Sequence, residues 1–248
     1  MSQRRKEEFL NGELYHITSR AIDDNLLFKN TNDYFRSIYS IYEFNNADPV
    51  SIFNRRRDRI IEKKREKSCE LRGRTDFSAA DVDKRNKFVE VLAFCLMPNH
   101  VHLLLKQLKS GGISKFMQKV GGGYGRYFND KYLRKGHVFQ DTFKSVHIKD
   151  NNQLMVVFTY IHANPLSLTD PGWKEKGIKN PKKAIKFLEE EYRWSSYFDY
   201  IGKKNFPSVT TRDFALEAMG GAEECKDAIK NWVLYHKDLS DYNNLFIE

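Results

Sequence analysis

Two histidines separated by one residue, His100 and His102, form the pair with the clearest chemistry in this 248-residue sequence. They begin the run HVHLLLKQ, whose apolar residues predict a β-strand. Residues i and i+2 of a strand face the same side, so the two imidazoles would converge while Val101 points to the other side. Two neutral imidazoles so placed are half of a divalent-metal site. A pair of strand histidines with ordinary hydrogen bonds remains the alternative at this point.

Tyr160 and Asn164 form a second pair, four residues apart on a predicted helix that ends close to Pro165. Residues at i and i+4 share a helix face, so the phenol and the amide would lie side by side. The amide oxygen of Asn164 is a suitable ligand for Mg²⁺ or Mn²⁺. Taken alone, a core tyrosine and a helix C-terminal asparagine would explain the same two residues.

Hydrophobic patterning predicts the elements that position these residues. Strands are predicted at 14–20, 88–97, 100–107 and 143–149, and helices at about 34–44, 113–132 and 152–164. The first six elements run strand, helix, strand, strand, helix, strand, which predicts an α+β fold of ferredoxin-like type. Glycines 121–123 would interrupt the second helix unless its backbone approaches a partner closely, and a phosphate is the partner we expect.

The charge balance favours a polyanionic partner. Lys and Arg number 42 against 33 Asp and Glu, which gives a net charge of +9 and a sequence pI of about 9.3. Nucleic acid is the first candidate, with solubility as the plain alternative. Thirteen basic and seven acidic residues fall within 53–87, so this segment alone carries +6 of the excess. The segment is either an accessory arm for DNA or a solubilising insertion.

Several other protein classes are not supported by the sequence. Mean hydropathy is −0.66, and no apolar run is long enough for a membrane span. The charged start MSQRRKEEFL lacks the apolar region of a signal peptide, so a cytoplasmic protein is expected. Three widely spaced cysteines without a C-x-x-C pair support neither a disulfide framework nor a cysteine zinc site.

An ordered set of short motifs surrounds the two pairs. The chain has MPNHVHLL at 97–104, YIHANP at 160–165 and YRWSSY at 192–197, and a further three motifs lie between the first two: YFNDKY, GHVFQDTFKS and VHIKD. Over about residues 9–200 this order resembles the HUH single-strand transposases with one catalytic tyrosine, in particular the REP-associated tyrosine transposases.

The resemblance implies a ferredoxin-like (RRM-like) palm with an antiparallel sheet and helices on one face. It implies that His100, His102 and Asn164 hold Mg²⁺ or Mn²⁺, and that Tyr160 attacks a phosphodiester of single-stranded or hairpin DNA. The expected product is a 5′-phosphotyrosine link beside a free 3′-OH. His162 is not assigned as a base, because two residues along a helix it points away from Tyr160.

Basic and aromatic residues near the two pairs are candidates for DNA contact, because single strands bind in cationic grooves with aromatic faces. A solvated basic face would explain each of them individually. The predicted DNA-binding residues are Arg20, Tyr124, Arg126, Lys131, Arg134 and Lys144. His16, His147 and the three tryptophans receive no role in the chemistry.

We expect two parts in the chain: a palm over 9–165, with the basic insertion at about 53–87, and a helical extension over 166–248 that packs on or beside it. The predicted function is a metal-dependent transposase that cleaves and rejoins single-stranded DNA, acting as a monomer or homodimer without a membrane. A non-catalytic DNA-binding regulator that retains the palm is the alternative.

Overall fold

The fold was analysed in a computed structural model. It describes residues 8–51, 57, 60–61, 83, 85–140, 142–235 and 245–247. Most of the basic segment predicted at 53–87 therefore lies outside the described residues.

Four antiparallel strands form one sheet in the order β2-β3-β1-β4. The strands are β1 (Leu14–Arg20), β2 (Val89–Met97), β3 (His100–Gln107) and β4 (Lys144–Ile148). A two-residue turn joins β2 to β3, so these two strands form the predicted hairpin. The strand order and the helices between the strands confirm the ferredoxin-like α+β fold, with β3 and β1 at its centre.

Two helices cover one face of the sheet, as predicted for the palm. Helix α1 (Thr31–Glu43) begins with a capping box formed by Asn30 and Asp33, and α2 (Gly112–Tyr132) packs against it. Their apolar residues join the odd-numbered side of β3, for example Val101 and Leu103, in one hydrophobic core. The period-two alternation of β3 leaves His100 and His102 on the opposite face.

The glycines at 121–123 do not interrupt α2, which runs continuously through them. A Cβ on Gly123 would overlap the ring of Phe44, which is 9% exposed at the end of α1. A Cβ on Gly122 would meet no atom within 4 Å in the described structure. The close approach expected for these glycines is therefore an approach of the two helices, and the partner is an aromatic ring rather than a phosphate.

Helix α3 (Asn151–Ala163) covers the second face of the sheet, together with the C-terminal part of the chain. The following helices are α4 (Trp173–Lys176), α5 (Pro181–Lys186), α6 (Tyr197–Tyr200), α7 (Asp213–Met219) and α8 (Ala222–Tyr235). Short 3₁₀ turns occur at Ile22–Asp24 and Asn164–Leu168, and a π-helical turn occurs at Phe187–Glu191. This second layer encloses the face that carries the histidine pair.

The outer edge of β2 is closed by the chain itself. The backbone N–H of Leu96 donates to the carbonyl of Trp194 at 2.9 Å, and that of Ser196 donates to Phe94 at 3.0 Å. A paired edge strand offers no template to another sheet, which is one physical role of the YRWSSY motif. Within the described part of the chain, no helix has the length and apolar character needed to cross a membrane.

Candidate active site

The register of the two central strands places the histidine pair beside polar residues of β1. His102 lies opposite Thr18, and His100 lies opposite Arg20. Residues opposite each other in an antiparallel pair face the same side, so Thr18 and Arg20, and with them His16, share the face of the histidines. The rings of His100 and His102 are 4.8 Å apart between centroids and nearly perpendicular.

Helix α3 brings Tyr160 and Asn164 onto this face. The Asp150 side chain caps the helix start by accepting from the N–H of Gln153 at 2.8 Å. At the other end Asn164 is the C-cap, whose backbone N–H donates to the carbonyl of Tyr160. The Asn164 side chain Nδ2 donates to Nε2 of His102 at 3.0 Å. The structure thus brings Asn164 directly to the histidine pair.

A chain of hydrogen bonds fixes the tautomers of His16 and His102. The carbonyl of Leu245 can only accept, so Nδ1 of His16, 2.9 Å away, carries the proton. Nε2 of His16 then accepts from Nδ1 of His102 at 3.0 Å. Thr18 donates its hydroxyl to the carbonyl of Ile247 and lies 3.1 Å from the same Nδ1, so it is a second acceptor there. Nε2 of His102 is therefore left with its lone pair.

The tautomer of His100 is fixed in a similar way. Nδ2 of Asn99 donates to the carboxylate of Asp24 at 3.5 Å, which turns the Asn99 oxygen toward Nδ1 of His100 at 2.7 Å. Nδ1 of His100 therefore donates, and its Nε2 lone pair faces the site. That buried Nε2 has no hydrogen-bond partner in the described part of the chain, which is uncommon for a buried polar atom.

These residues fit a divalent ion. Two Nε2 lone pairs on one sheet face, one of them without a partner among the described residues, are donors that a divalent ion takes from neutral histidines. An ion taking these lone pairs requires the Asn164 amide in its other orientation, with Oδ1 toward the histidines. Within the described residues, no three histidine, cysteine or carboxylate side chains form a metal site, so the third ligand would be this amide.

The surroundings hold the histidines neutral. Burial is the largest cause and lowers the pKa of His16 to about 4. Burial, with the Arg20 and Lys174 cations next, lowers the pKa of His100 to about 3. The pKa of His102 lies well below its usual value for the same first reason, with His100 as its second cause. Neutral imidazole is the form that binds a metal.

Tyr160 is 2% exposed and stands among aromatic rings. Its ring is 5.7 Å from that of His102 and stacks on Phe246 at 4.3 Å. Burial raises the pKa of the phenol well above its usual value, while the nearby Asn164 and Arg20 act against that increase. Lys174 donates a hydrogen bond to the phenol oxygen at 3.2 Å. The Tyr160 side chain is therefore held by its neighbours and hydrogen-bonded to Lys174, but ionisation of its buried phenol costs free energy.

The C-terminal tail, residues 245–247, lies over the site. Its three members all contact site residues: the Leu245 carbonyl holds His16, the Phe246 ring covers Tyr160, and the Ile247 carbonyl holds Thr18. The tail therefore orients the histidine chain and shields the tyrosine at the same time.

The structure divides the predicted DNA-binding residues between the two faces. Arg20 and the exposed Lys144 lie on the face of the histidine pair. Three others are on α2, behind the opposite face of the sheet, and one follows the end of that helix: Tyr124, Arg126 and Lys131, and then Arg134. The sequence could not separate the two groups, because the face on which a helix packs depends on chain topology.

Two of these α2 residues have structural partners. Tyr124 is 2% exposed, and its hydroxyl donates to the carbonyl of Leu27 within the core. Nζ of Lys131 donates to the buried carboxylate of Asp33 at 2.6 Å. The structure places neither of them at the site that contains Tyr160.

Four residues of the site had no role in the sequence-based prediction: His16, Thr18, Lys174 and Phe246. Alternation along β1 places His16 and Thr18 on one face with Arg20, which is the one signal that the sequence carried for them. Lys174 and Phe246 reach Tyr160 from segments beyond the palm. No local pattern predicts those contacts.

Comparison with known proteins gives one family match and one similar solved structure. Residues 53–164, which contain both histidines, Tyr160 and Asn164, match the family model described as "Transposase IS200 like". No curated protein matches the chain. A solved structure described as "Structure of the REP associates tyrosine transposase bound to a REP hairpin" is similar at 15% identity and a TM-score of 0.48, over 86% of this chain and 93% of that one.

Proposed function

We propose that this chain, whose residues 53–164 match the IS200-like transposase family model, cleaves and rejoins single-stranded DNA with Tyr160 as the nucleophile. The observation that carries the proposal is the convergence of Tyr160, Asn164 and two histidine Nε2 lone pairs on one sheet face. An isolated core tyrosine would need none of these neighbours.

The chain's residues have separate tasks in the proposed reaction. The oxygen of Tyr160 attacks the phosphorus of a phosphodiester, forming a P–O bond to tyrosine while the bond from phosphorus to the 3′-oxygen breaks. The phenol proton leaves to solvent, and the departing 3′-oxygen takes a proton to become a 3′-OH. The 5′-phosphotyrosine bond that remains can be attacked by another 3′-OH, which restores the phosphodiester and frees Tyr160.

We propose that His100, His102 and Asn164 hold Mg²⁺ or Mn²⁺. When bound there, such an ion would supply polarisation of a non-bridging phosphoryl oxygen and stabilisation of the charge that develops on it. The chain's own contribution is to keep both imidazoles neutral by burial and to fix their tautomers through Asn99, His16 and Thr18.

Arg20 and Lys144 are the proposed DNA contacts, because they stand on the same sheet face as the site. Arg20 is close enough to influence the pKa of both His100 and Tyr160. Their charges would attract the phosphates on either side of the cleaved bond, and binding should weaken steeply with salt. Hairpin-bearing single strands remain the substrate that we propose.

The test is a cleavage assay with labelled single-stranded hairpin DNA and Mn²⁺. Wild-type protein should cleave the strand and retain label on the protein after denaturation, whereas Tyr160→Phe should do neither. Tyr197→Phe is the matched control, because Tyr197 is also buried and its hydroxyl has no hydrogen-bond partner among the residues that the structure describes. It should react like wild type.

Two outcomes would overturn the proposal. Label retained by Tyr160→Phe would move the nucleophile elsewhere. DNA binding without cleavage by the wild type, across hairpin and unstructured strands and both metals, would favour the non-catalytic regulator.

A further inference from the structure

Lys174 reaches the candidate nucleophile from outside the palm. Its Nζ lies 3.2 Å from the oxygen of Tyr160 and 5.0 Å from the centre of the same ring. Lys174 belongs to the four-residue helix α4. The first residue of this helix, Trp173, is fully buried in the C-terminal hydrophobic cluster. The buried Trp173 thus anchors the backbone from which the Lys174 side chain extends.

The reaction proposed for Tyr160 needs a cation at this point. The phenol is buried, and burial raises its pKa. Negative charge must nevertheless develop on its oxygen when it attacks phosphorus, and again when tyrosine leaves during rejoining. A donor that is already aimed at that oxygen stabilises both events without reorganisation, which is the usual advantage of preorganised electrostatics.

We propose that Lys174 is a catalytic residue that stabilises the negative charge on the Tyr160 oxygen, as nucleophile in cleavage and as leaving group in rejoining. This inference rests on the proposed function of Tyr160. In cleavage the phenol proton passes to solvent, the tyrosine oxygen bonds to phosphorus, and the 3′-oxygen leaves with a proton from water. In rejoining the 3′-OH gives its proton to water and bonds to phosphorus while the bond from phosphorus to the Tyr160 oxygen breaks. Lys174 holds the departing tyrosinate until it takes a proton from water.

Lys174 acts on the phenol oxygen by a direct hydrogen bond, beside Asn164 and Arg20, which also oppose the rise of the phenol pKa. The titratable groups that face Tyr160 and Lys174 are His16 and Arg20 on β1, Cys95 on β2, and His100 and His102 on β3. The three histidines are neutral, and Arg20 pairs with Asp24 at 2.9 Å. Burial, followed by Arg20, lowers the pKa of Lys174 to about 8, so at pH 7 the side chain is mostly ammonium.

The first test compares single-turnover rates of covalent adduct formation in the full-length protein. Lys174→Met should slow the reaction by about 10²-fold, the typical cost of losing one preorganised donor. Its pH–rate profile should also shift to higher pH. Lys174→Arg retains the charge and should recover most of the rate. Lys176→Met is the matched control on the same helix, where Lys176 is exposed, and should leave the rate unchanged.

A second measurement does not depend on DNA. A 3,5-difluorotyrosine placed at position 160 reports its own ionisation by ¹⁹F NMR. Lys174→Met should raise its pKa by about 1 to 3, because an adjacent opposite charge lowers a phenol pKa by that amount. Lys176→Met should not change it.

The outcomes separate this inference from the function on which it rests. No adduct from the wild type would reject the proposed function, whatever the fluorotyrosine shows. A wild-type adduct with an unchanged rate and pH profile in Lys174→Met would reject the role of Lys174 alone. An unchanged fluorotyrosine pKa in Lys174→Met would do the same.

Discussion

At the residue scale, oxygen atoms that can only accept hydrogen bonds set the tautomers of the histidines in the candidate metal site. The carbonyl of Leu245 and the carboxylate of Asp24 each decide one histidine tautomer through an intermediate side chain. Both chains of hydrogen bonds end with an Nε2 lone pair facing the site. Second partners of this kind orient metal-binding histidines and tune their affinity. The arrangement therefore predicts specific losses when single side chains are removed.

Removal of either histidine should abolish metal binding. We expect His100→Ala and His102→Ala to weaken Mn²⁺ affinity by more than about 100-fold, since losing even a supporting partner costs 10- to 100-fold. Calorimetric titration with Mn²⁺ measures this directly. The control is His137→Ala, at an exposed histidine that is not among the proposed ligands. Wild-type affinity in both site variants would contradict the assignment of these ligands.

At the element scale, α1 and α2 are joined by a close helix approach and a buried charge. Gly123 lets α2 meet Phe44, and Asp33 at the start of α1 accepts hydrogen bonds from three α2 side chains: Lys131, Tyr132 and Tyr127. The sheet packs against this helix pair, so the positions of β1 and β3 depend on it. Both contacts give measurable consequences for stability.

The two neighbouring glycines of α2 should respond in opposite ways to alanine. Gly122→Ala should stabilise the protein by about 0.5–1 kcal/mol, because alanine is favoured in an open helical position. Gly123→Ala should destabilise it by about 1–3 kcal/mol, because the new methyl overlaps the buried Phe44 ring. Urea unfolding measures both, and equal effects at the two positions would contradict the packing described here.

Asp33 should make stability depend on pH. Burial alone would raise its pKa, but hydrogen bonds from Lys131, Tyr132, the Lys29 backbone and Tyr127 hold it below its usual value of 3.8. A carboxyl whose pKa is lower in the folded state contributes stability above its unfolded pKa, and this contribution disappears as pH falls through the folded value.

We therefore expect Asp33→Asn to lower the free energy of unfolding at pH 7 by about 1–3 kcal/mol, because its partners lose their acceptor. The gap between wild type and Asp33→Asn should narrow as pH falls below about 4. Urea unfolding at a series of pH values measures the gap. A gap that stays constant down to pH 3 would show that the charge of Asp33 is not what stabilises the contact.

The secondary-structure elements differ in how far the sequence alone could predict them. The ends of β1 and β3 were predicted to the residue, because apolar alternation and the Pro98–Asn99 turn are local signals. The i,i+4 spacing likewise placed Tyr160 and Asn164 on one face of α3. Strand register, which brings His16 and Thr18 to His102, and the face on which α2 packs depend on the assembled sheet. Local sequence patterns therefore could not predict the strand register or the packing face of α2.

At the scale of the whole molecule, the C-terminal tail has two opposing effects on the site. Its carbonyls at Leu245 and Ile247 hold His16 and Thr18, which orient His102. Its Phe246 ring stacks on Tyr160, where a DNA strand would have to approach. The Phe246 side chain thus limits access to Tyr160, while the backbone carbonyls of the same segment orient His102 through His16 and Thr18. Variants that remove only the side chain or the whole segment should distinguish the two effects.

Phe246→Ala should increase the rate of covalent adduct formation several-fold, because it uncovers Tyr160 while the two carbonyls remain. A chain truncated after residue 244 should gain less and should bind Mn²⁺ more weakly, because His16 and Thr18 lose their acceptors. Parallel adduct and Mn²⁺ measurements distinguish these effects. Identical behaviour of the two variants would show that the tail carbonyls do not orient the histidines.

The central claim is that Tyr160 becomes covalently linked to DNA, and peptide mapping tests it most directly. Wild-type protein is reacted with a single-stranded hairpin and Mn²⁺ and digested with nuclease and protease, and its peptides are sequenced by mass spectrometry. The account predicts a nucleotide joined through its 5′-phosphate to Tyr160. A nucleotide on any other residue, or a 3′-phosphate link to Tyr160, would contradict it.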